Sequence, residues 1–281
     1  MKNLSVFGIT VLLFALVLTG CQSEGGAVQQ PAQDPEEKCL SGNITIAGST
    51  SVQPLAEELA GAFMDMYPDV RIDVQGGGSS VGVQSANERI ADIGNASREL
   101  KDSEKPYNLH EHVIAKDGIA VVVNPANDIG QITMEQVQKV FAGEVTNWKD
   151  LGGKDTGITV VNREEGSGTR GAFEEIVMGE ASFIDNAIIQ PSTGAVKQTV
   201  STDPNAIGYI SMGSLNSDVK GLVVDGAEPT SENVVNDSYK ISRPFLMLTK
   251  EAPQGTVKAF LDFIFSQDGQ DIVGQEFIKI K

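Results

Sequence analysis

Cysteine, histidine and tryptophan are nearly missing from this chain of 281 residues, which carries two, two and one of them. Two cysteines, Cys21 and Cys39, cannot staple a fold of this length, so stability must come from packing. His110 and His112 fall in a stretch that reads as a polar loop. Nothing in the sequence places them beside a serine, and hydrolysis by a serine nucleophile needs such a base. Their H-x-H spacing lacks a matching cluster of further ligands, so no metal ion is expected. No Gly-Lys-Ser/Thr follows a glycine run, which removes the P-loop reading of the glycines. Cations are also scarce, 21 Lys and Arg against 38 Asp and Glu, for a net charge of −17. Such a surface disfavours nucleic acid and anionic lipid as partners, but a small anion answers to the local field of its site.

The one long apolar run, Leu4 to Leu18, is broken by Ser5, Gly8 and Thr10 and is too short for a comfortable membrane span. Lys2 precedes it and Leu18-Thr19-Gly20-Cys21 follows, so residues 1–20 read as a secretory signal. The small residues before Cys21 resemble a lipobox, which implies a mature chain beginning at a lipidated Cys21. Removing Lys2 with the signal leaves 20 − 38 = −18. Residues 21–42 are rich in Gln, Glu, Gly and Pro without apolar period and read as a flexible tether. If the sulfur of Cys21 carries lipid, Cys39 has no disulfide partner.

From residue 43 the pattern alternates strands with helices. Ile44 to Ala47 is a strand, and Leu55, Leu59, Phe63 and Met66 recur at helical spacing after Pro54, with Thr50 or Ser51 suited to cap. Val70, Ile72 and Val74 alternate as a half-buried strand before a helix carrying Val83 and Asn87. Further strands are expected at 92–94, 119–123, 158–161, 207–210, 222–224 and 245–248. Helices are expected after the Thr133/Gln136 capping box, after Ser167, and from Thr256 to Gly274. Trp148 and Tyr209 read as core or lobe-surface residues rather than ligand contacts. This alternation over most of the chain predicts an α/β protein with two lobes.

Three strands run through a glycine and hydroxyl turn into a helix, at Thr50-Ser51, at Ser79-Ser80 and at Ser167-Gly168-Thr169. Each offers free backbone N–H groups, a hydroxyl and the positive end of a helix dipole, which together suit a tetrahedral oxyanion. Arg163, four residues before Ser167, supplies a planar fork for two oxyanion oxygens, with Glu165 expected to orient it. Arg98 stands beside Ser97, again next to a hydroxyl.

Seven segments in order, "IAGSTSVQPLAEELAGAF", "QGGGSSVGVQSA", "ADIGNASREL", "DGIAVVVNP", "VFAGEVTNWKDLGG", "REEGSGTRGAF" and "NAIGYISMG", resemble those of the phosphate-binding proteins that feed phosphate ABC transporters. The resemblance covers residues 43 to about 275. It implies a two-lobed type II periplasmic-binding-protein fold, with residues 43–122 plus 242–281 as one lobe and 123–241 as the other. One inorganic phosphate would sit between them on Thr50, Ser51, Ser79, Ser97, Arg163, Ser167, Gly168 and Thr169, with Ser49, Ser80, Arg98 and Glu165 nearby. Ser97 stands where longer family members carry an aspartate that accepts the ligand's proton. The resemblance further implies a lipid-anchored, extracytoplasmic, monomeric binding protein that works with ABC permease subunits, without cofactor or catalysis. Alternatives are a binder of another tetrahedral oxyanion, a phosphate sensor or adhesin, and a secreted serine hydrolase or phosphatase using Ser167.

Overall fold

The computed structural model describes residues 40–280, so the signal, Cys21, Cys39 and most of the tether lie outside the described residues. Alternating apolar positions make β1 (Gly42–Gly48), β2 (Val70–Gly76) and β3 (Ile93–Ala96) a parallel set, with α1 (Gln53–Met66) and α2 (Ser79–Asn87) as their crossovers. Then comes the long strand β4 (His110–Val123), followed by β5 (Gln131–Ile132) and α3 (Met134–Phe141), which opens with the expected Thr133/Gln136 capping box. β6 (Thr159–Arg163), α4 (Gly168–Phe173), β7 (Ile188–Gln190), α5 (Thr193–Thr202) and β8 (Ala206–Ser211) form a second strand-helix series. The chain closes through β9 (Lys220–Gly221), β10 (Val223–Val224), α6 (Ser231–Val235), β11 (Ser242–Thr249), α7 (Gly255–Ile264) and α8 (Gln267–Glu276).

One sheet runs through most of these strands in the order β2-β1-β3-β11-β4-β8-β6-β7. β11 lies antiparallel between β3 and β4 and joins the two parallel sets. β4 serves both: its first part, to Gly118, pairs with β11, and Ile119 to Val123 pair with β8. Two apolar cores result. Ile44, Leu55, Leu59, Phe63, Phe245 and Phe260 belong to one, and Ile119, Val121, Phe141, Trp148, Phe173 and Tyr209 to the other. Tyr209 stacks on Phe173 at 4.1 Å between ring centroids, and of the two positions open to them, core or lobe surface, both Trp148 and Tyr209 take the core.

Where β4 passes from one core to the other, Asp117 and Arg243 face each other across β4 and β11 with side chains 1% exposed. Arg243 Nη2 donates to Asp117 Oδ2 at 3.0 Å and Ser211 Oγ donates to Oδ1 at 2.9 Å. A buried pair of this kind is costly to break from one side.

Four expectations are corrected. His110 and His112 stand on β4 rather than in a loop, because β11 supplies the hydrogen-bond partners that the polar pattern conceals. The C-terminal helix is two, because Ser266 caps a new one through Gly269 N–H at 3.2 Å. The hydroxyl serving the start of α1 is that of Ser49, which accepts from Ser51 N–H at 3.2 Å, whereas Thr50 and Ser51 are free to face elsewhere. The strand expected at 222–224 is shortened to β10, with Leu222 outside it and β9 just before.

α2 lies almost on the backbone of β1 and β3, which brings its first turn to the ends of those strands. A methyl group on Gly82 would sit 2.3 Å from the Asn95 carbonyl oxygen and 2.9 Å from that of Ala47. Gly82→Ala must therefore push helix from strand and should cost about 1–3 kcal/mol in urea unfolding, as overpacking does. Gly61→Ala, in α1 with nothing within 4 Å, should be neutral or stabilising by roughly 0.5–1 kcal/mol and serves as the control.

Candidate functional site

The first N–H groups of a helix have no partners within it and make that end an acceptor-seeking, positively polarised surface. The starts of α1, α2, α4 and α5 meet in one place, at the carboxyl ends of the parallel strands that precede them. Each carries hydroxyls. Ser167 caps α4 by accepting from Arg170 N–H at 3.2 Å, and Ser192 caps α5 by accepting from Ala195 N–H at 3.0 Å. α2 has Gly78 at its cap position, and Ser79 Oγ accepts instead from Ser97 N–H at 3.0 Å.

The hydroxyls of the first strand series meet those of the second directly. Ser51 Oγ lies 2.8 Å from both Thr169 Oγ1 and Thr193 Oγ1. Ser49 Oγ donates to Ser97 Oγ at 2.8 Å, and Ser79 Oγ is 3.4 Å from Ser97 Oγ. Gly168 packs its backbone on this pair: a Cβ there would stand 2.1 Å from Ser79 Oγ and 2.6 Å from Ser97 Oγ. Ser49, Ser51, Ser79, Ser97, Ser167 and Thr169 are all buried.

Arg163, at the end of β6, is 1% exposed. Its Nε and Nη2 donate to the two carboxylate oxygens of Glu164, each at 2.9 Å, and Nη2 also reaches Thr50 Oγ1 at 3.3 Å. The acid that holds the fork is thus Glu164 and not the expected Glu165, which is exposed because the turn after β6 carries it outward. Arg98 is likewise forked, by both oxygens of Glu104 at 2.7 and 2.8 Å, and reaches Ser80 Oγ at 3.2 Å. Ser80 and Arg98 therefore bind each other at the edge of the cluster, where Arg98 Cδ lies against Gly171.

Thr193 was not among the residues expected here. The signal was present, since "QPSTGAV" repeats the strand, hydroxyl, glycine and helix order of the other three starts. Asn162 was also missed. Its Oδ1 accepts from Arg163 N–H at 2.8 Å and from the hydroxyl of Tyr209, which ties the end of β6 to the neighbouring strand.

Chemically the cluster is a set of neutral donors around one guanidinium. Ser167 Oγ is engaged with the helix it caps. His112 bonds Thr249 Oγ1 at 3.3 Å, and burial followed by the nearby His110 holds its pKa below the usual histidine value. Among the described residues no histidine bonds to the cluster, and no group of three or more His, Cys, Asp or Glu could hold a metal ion. The arrangement presents hydrogen-bond donors suited to an oxyanion.

Comparison with known proteins follows the same line. The PBP superfamily domain matches residues 33–268. The phosphate-binding protein PstS of Bacillus subtilis is 35% identical over 273 residues, 96% of this chain and 91% of that protein. PstS of Borreliella burgdorferi is 32% identical over 251 residues, 85% of this chain and 90% of that one. Among solved structures, a phosphate ABC transporter substrate-binding protein with bound phosphate from Clostridium perfringens superposes with a TM-score of 0.84 at 46% identity, covering 85% of this chain and all of that one.

The Arg98–Glu104 pair makes the rim of the cluster sensitive to acid. Burial acts to raise the Glu104 pKa, but hydrogen bonds from Arg98 and the Lys101 N–H, with the Arg98 charge, bring it below the ordinary value. A carboxylate with a lowered folded value stabilises fully above its unfolded value, about 4.3, and loses that contribution as pH falls through the folded one. Glu104→Gln should cost about 1–3 kcal/mol at neutral pH. Below about pH 4 its stability should fall less steeply than that of the wild type, as thermal melts across pH will record.

Proposed function

This chain belongs to the PBP superfamily and, within it, to the PstS phosphate-binding proteins, and from that membership we propose that it captures inorganic phosphate between two lobes and delivers it to the permease of an ABC transporter. The lobes expected at residues 43–122 plus 242–281 and at residues 123–241 are redrawn in this proposal to divide at about Gly118, because Ile119 to Val122 pair with β8 and pack with the second lobe. The ligand is held by Thr50, Ser51, Ser79, Ser97, Arg163, Ser167, Gly168 and Thr169. The observation that carries the reading is the buried Arg163 fork beside hydroxyls from four helix starts. The chain acts as a binding protein rather than an enzyme, a reading supported by its likeness to phosphate-binding transport proteins.

A broader oxyanion site is a second reading, favoured by Ser97. Phosphate near neutral pH keeps at least one proton and sulfate keeps none, so a carboxylate aimed at the ligand would accept that proton and repel sulfate. Here Glu164, Glu104 and Asp117 are each engaged by an arginine. Ser97 accepts from Ser49 and shares one further position with Ser79 at 3.4 Å, and because a hydroxyl both donates and accepts it is able to meet either anion.

Titration calorimetry of the mature chain should give one phosphate per chain, competition by arsenate and weak competition by sulfate. Arg163→Ala should lose about 2–5 kcal/mol of binding, because an oxyanion charge is left without its counter-charge. No heat with phosphate, together with saturable binding of another anion, would reassign the ligand. Release of product from a chromogenic phosphate ester would overturn the non-enzymatic reading.

Attachment to the outer face of the membrane through a lipidated Cys21, and a monomeric state, complete the proposal. The anchor is supported by the Leu18-Thr19-Gly20-Cys21 sequence. Among the described residues no helix is long and apolar enough to cross a membrane. Cys21→Ser should move the protein from the membrane fraction to the soluble one or block its processing. Retention of a mature-length Cys21→Ser protein on membranes would refute the lipid anchor.

A further inference from the structure

We propose that Thr193 is a positioning residue of the anion site, setting both the Arg163 guanidinium and the Ser51 hydroxyl. The inference rests on reading the cleft as a phosphate site. Thr193 is the first residue of α5 and is 3% exposed. Its hydroxyl is not needed by the helix it begins, because Ser192 already caps α5. It is spent across the cleft instead. Thr193 Oγ1 stands 2.8 Å from Ser51 Oγ and 3.4 Å from Arg163 Nη1, and its N–H donates to Thr50 Oγ1 at 3.3 Å. One residue therefore touches the cation of the site and both hydroxyls of the turn before α1.

The hydrogen-bond chemistry fixes one end of this junction. A guanidinium N–H can only donate, so Thr193 Oγ1 accepts from Arg163. Thr193 Oγ1 keeps a second lone pair and its hydrogen, and Ser51 Oγ lies 2.8 Å from both threonine hydroxyls, so one order open to the junction sends the Thr193 hydrogen to Ser51 Oγ, that of Ser51 to Thr169 Oγ1 and that of Thr169 to the anion. Hydrogen bonds in a chain polarise one another, and this chain starts on a charge. Thr193 thereby extends the polarising effect of Arg163 to donors on the far side of the cleft. It also holds Nη1 while Glu164 holds Nε and Nη2, so the fork is fixed from both ends.

A residue that merely fills space would give a different pattern from one that relays a hydrogen bond. Val keeps the shape of Thr without the hydroxyl, and Ser keeps the hydroxyl without the methyl. Phosphate titration of the mature chain should show Thr193→Val binding roughly ten- to hundredfold more weakly, the loss of two hydrogen bonds of which one is to a charge. Thr193→Ser should fall within about threefold of the wild type. Because Thr193 acts partly through Ser51, adding Ser51→Ala to Thr193→Val should weaken binding by a smaller factor than Ser51→Ala does alone. Melting temperatures without phosphate should stay close to that of the wild type. Wild-type affinity in Thr193→Val, equal weakness of the Ser and Val variants, or full additivity with Ser51→Ala would each overturn the proposal. If the Val variant does not fold, comparison of Thr193→Ala with Thr193→Ser decides the same question. A wild-type chain that ignores phosphate would sink the reading of the site itself.

Discussion

A guanidinium removed from water needs a counter-charge and an acceptor for every N–H, and Arg163 imposes that demand on everything around it. Glu164 meets the charge. Thr50, Thr193 and the Gln190 carbonyl meet much of the rest. These partners come from the turns before α1 and α5 and from β7, so satisfying one side chain requires both strand series to stop at the same level. The donor-rich cluster is then a product of where the helices begin.

The site lies within a chain of net charge −17, yet it does not depend on a surplus of cations. Its three buried arginines, Arg98, Arg163 and Arg243, each face a carboxylate of their own. What the cluster adds to Arg163 is short-range: hydroxyl dipoles, backbone N–H groups and the ends of helices, which act over a few ångströms and are little affected by the distant acidic surface. Such an arrangement discriminates by geometry more than by attraction.

Much of this was legible in the sequence, because the strand-turn-helix pattern is local and repeats. The turns at Thr50, Ser79 and Ser167 stood out since each follows a clear apolar strand. Thr193 did not, because the strand before it is only three residues long and exposes Ile188 and Ile189, leaving no apolar alternation to mark its end. The choice between Glu164 and Glu165 depends on which way one turn faces, and adjacent residues look alike to any pattern. Likewise, whether Ser49 or Thr50 serves α1 is settled by one backbone turn. His110 to His112 read as loop because strand pairing with β11 is a contact between distant parts of the chain, carried by backbone groups that every sequence has.

The passage of β4 through both cores has a topological consequence. The core around Ile119, Phe141, Phe173 and Tyr209 is drawn from one unbroken stretch ending at Ile241. The other joins Ile44, Leu59 and Phe63 to Phe245, Phe260, Ile264 and Val273, from opposite ends of the chain. During synthesis the first can close on residues already made, whereas the second must keep its apolar strands waiting for the last helices to arrive. Long-range closure of that kind is slow and leaves strand edges open meanwhile. The half of the molecule that is made first is thus the half whose folding depends on the final residues.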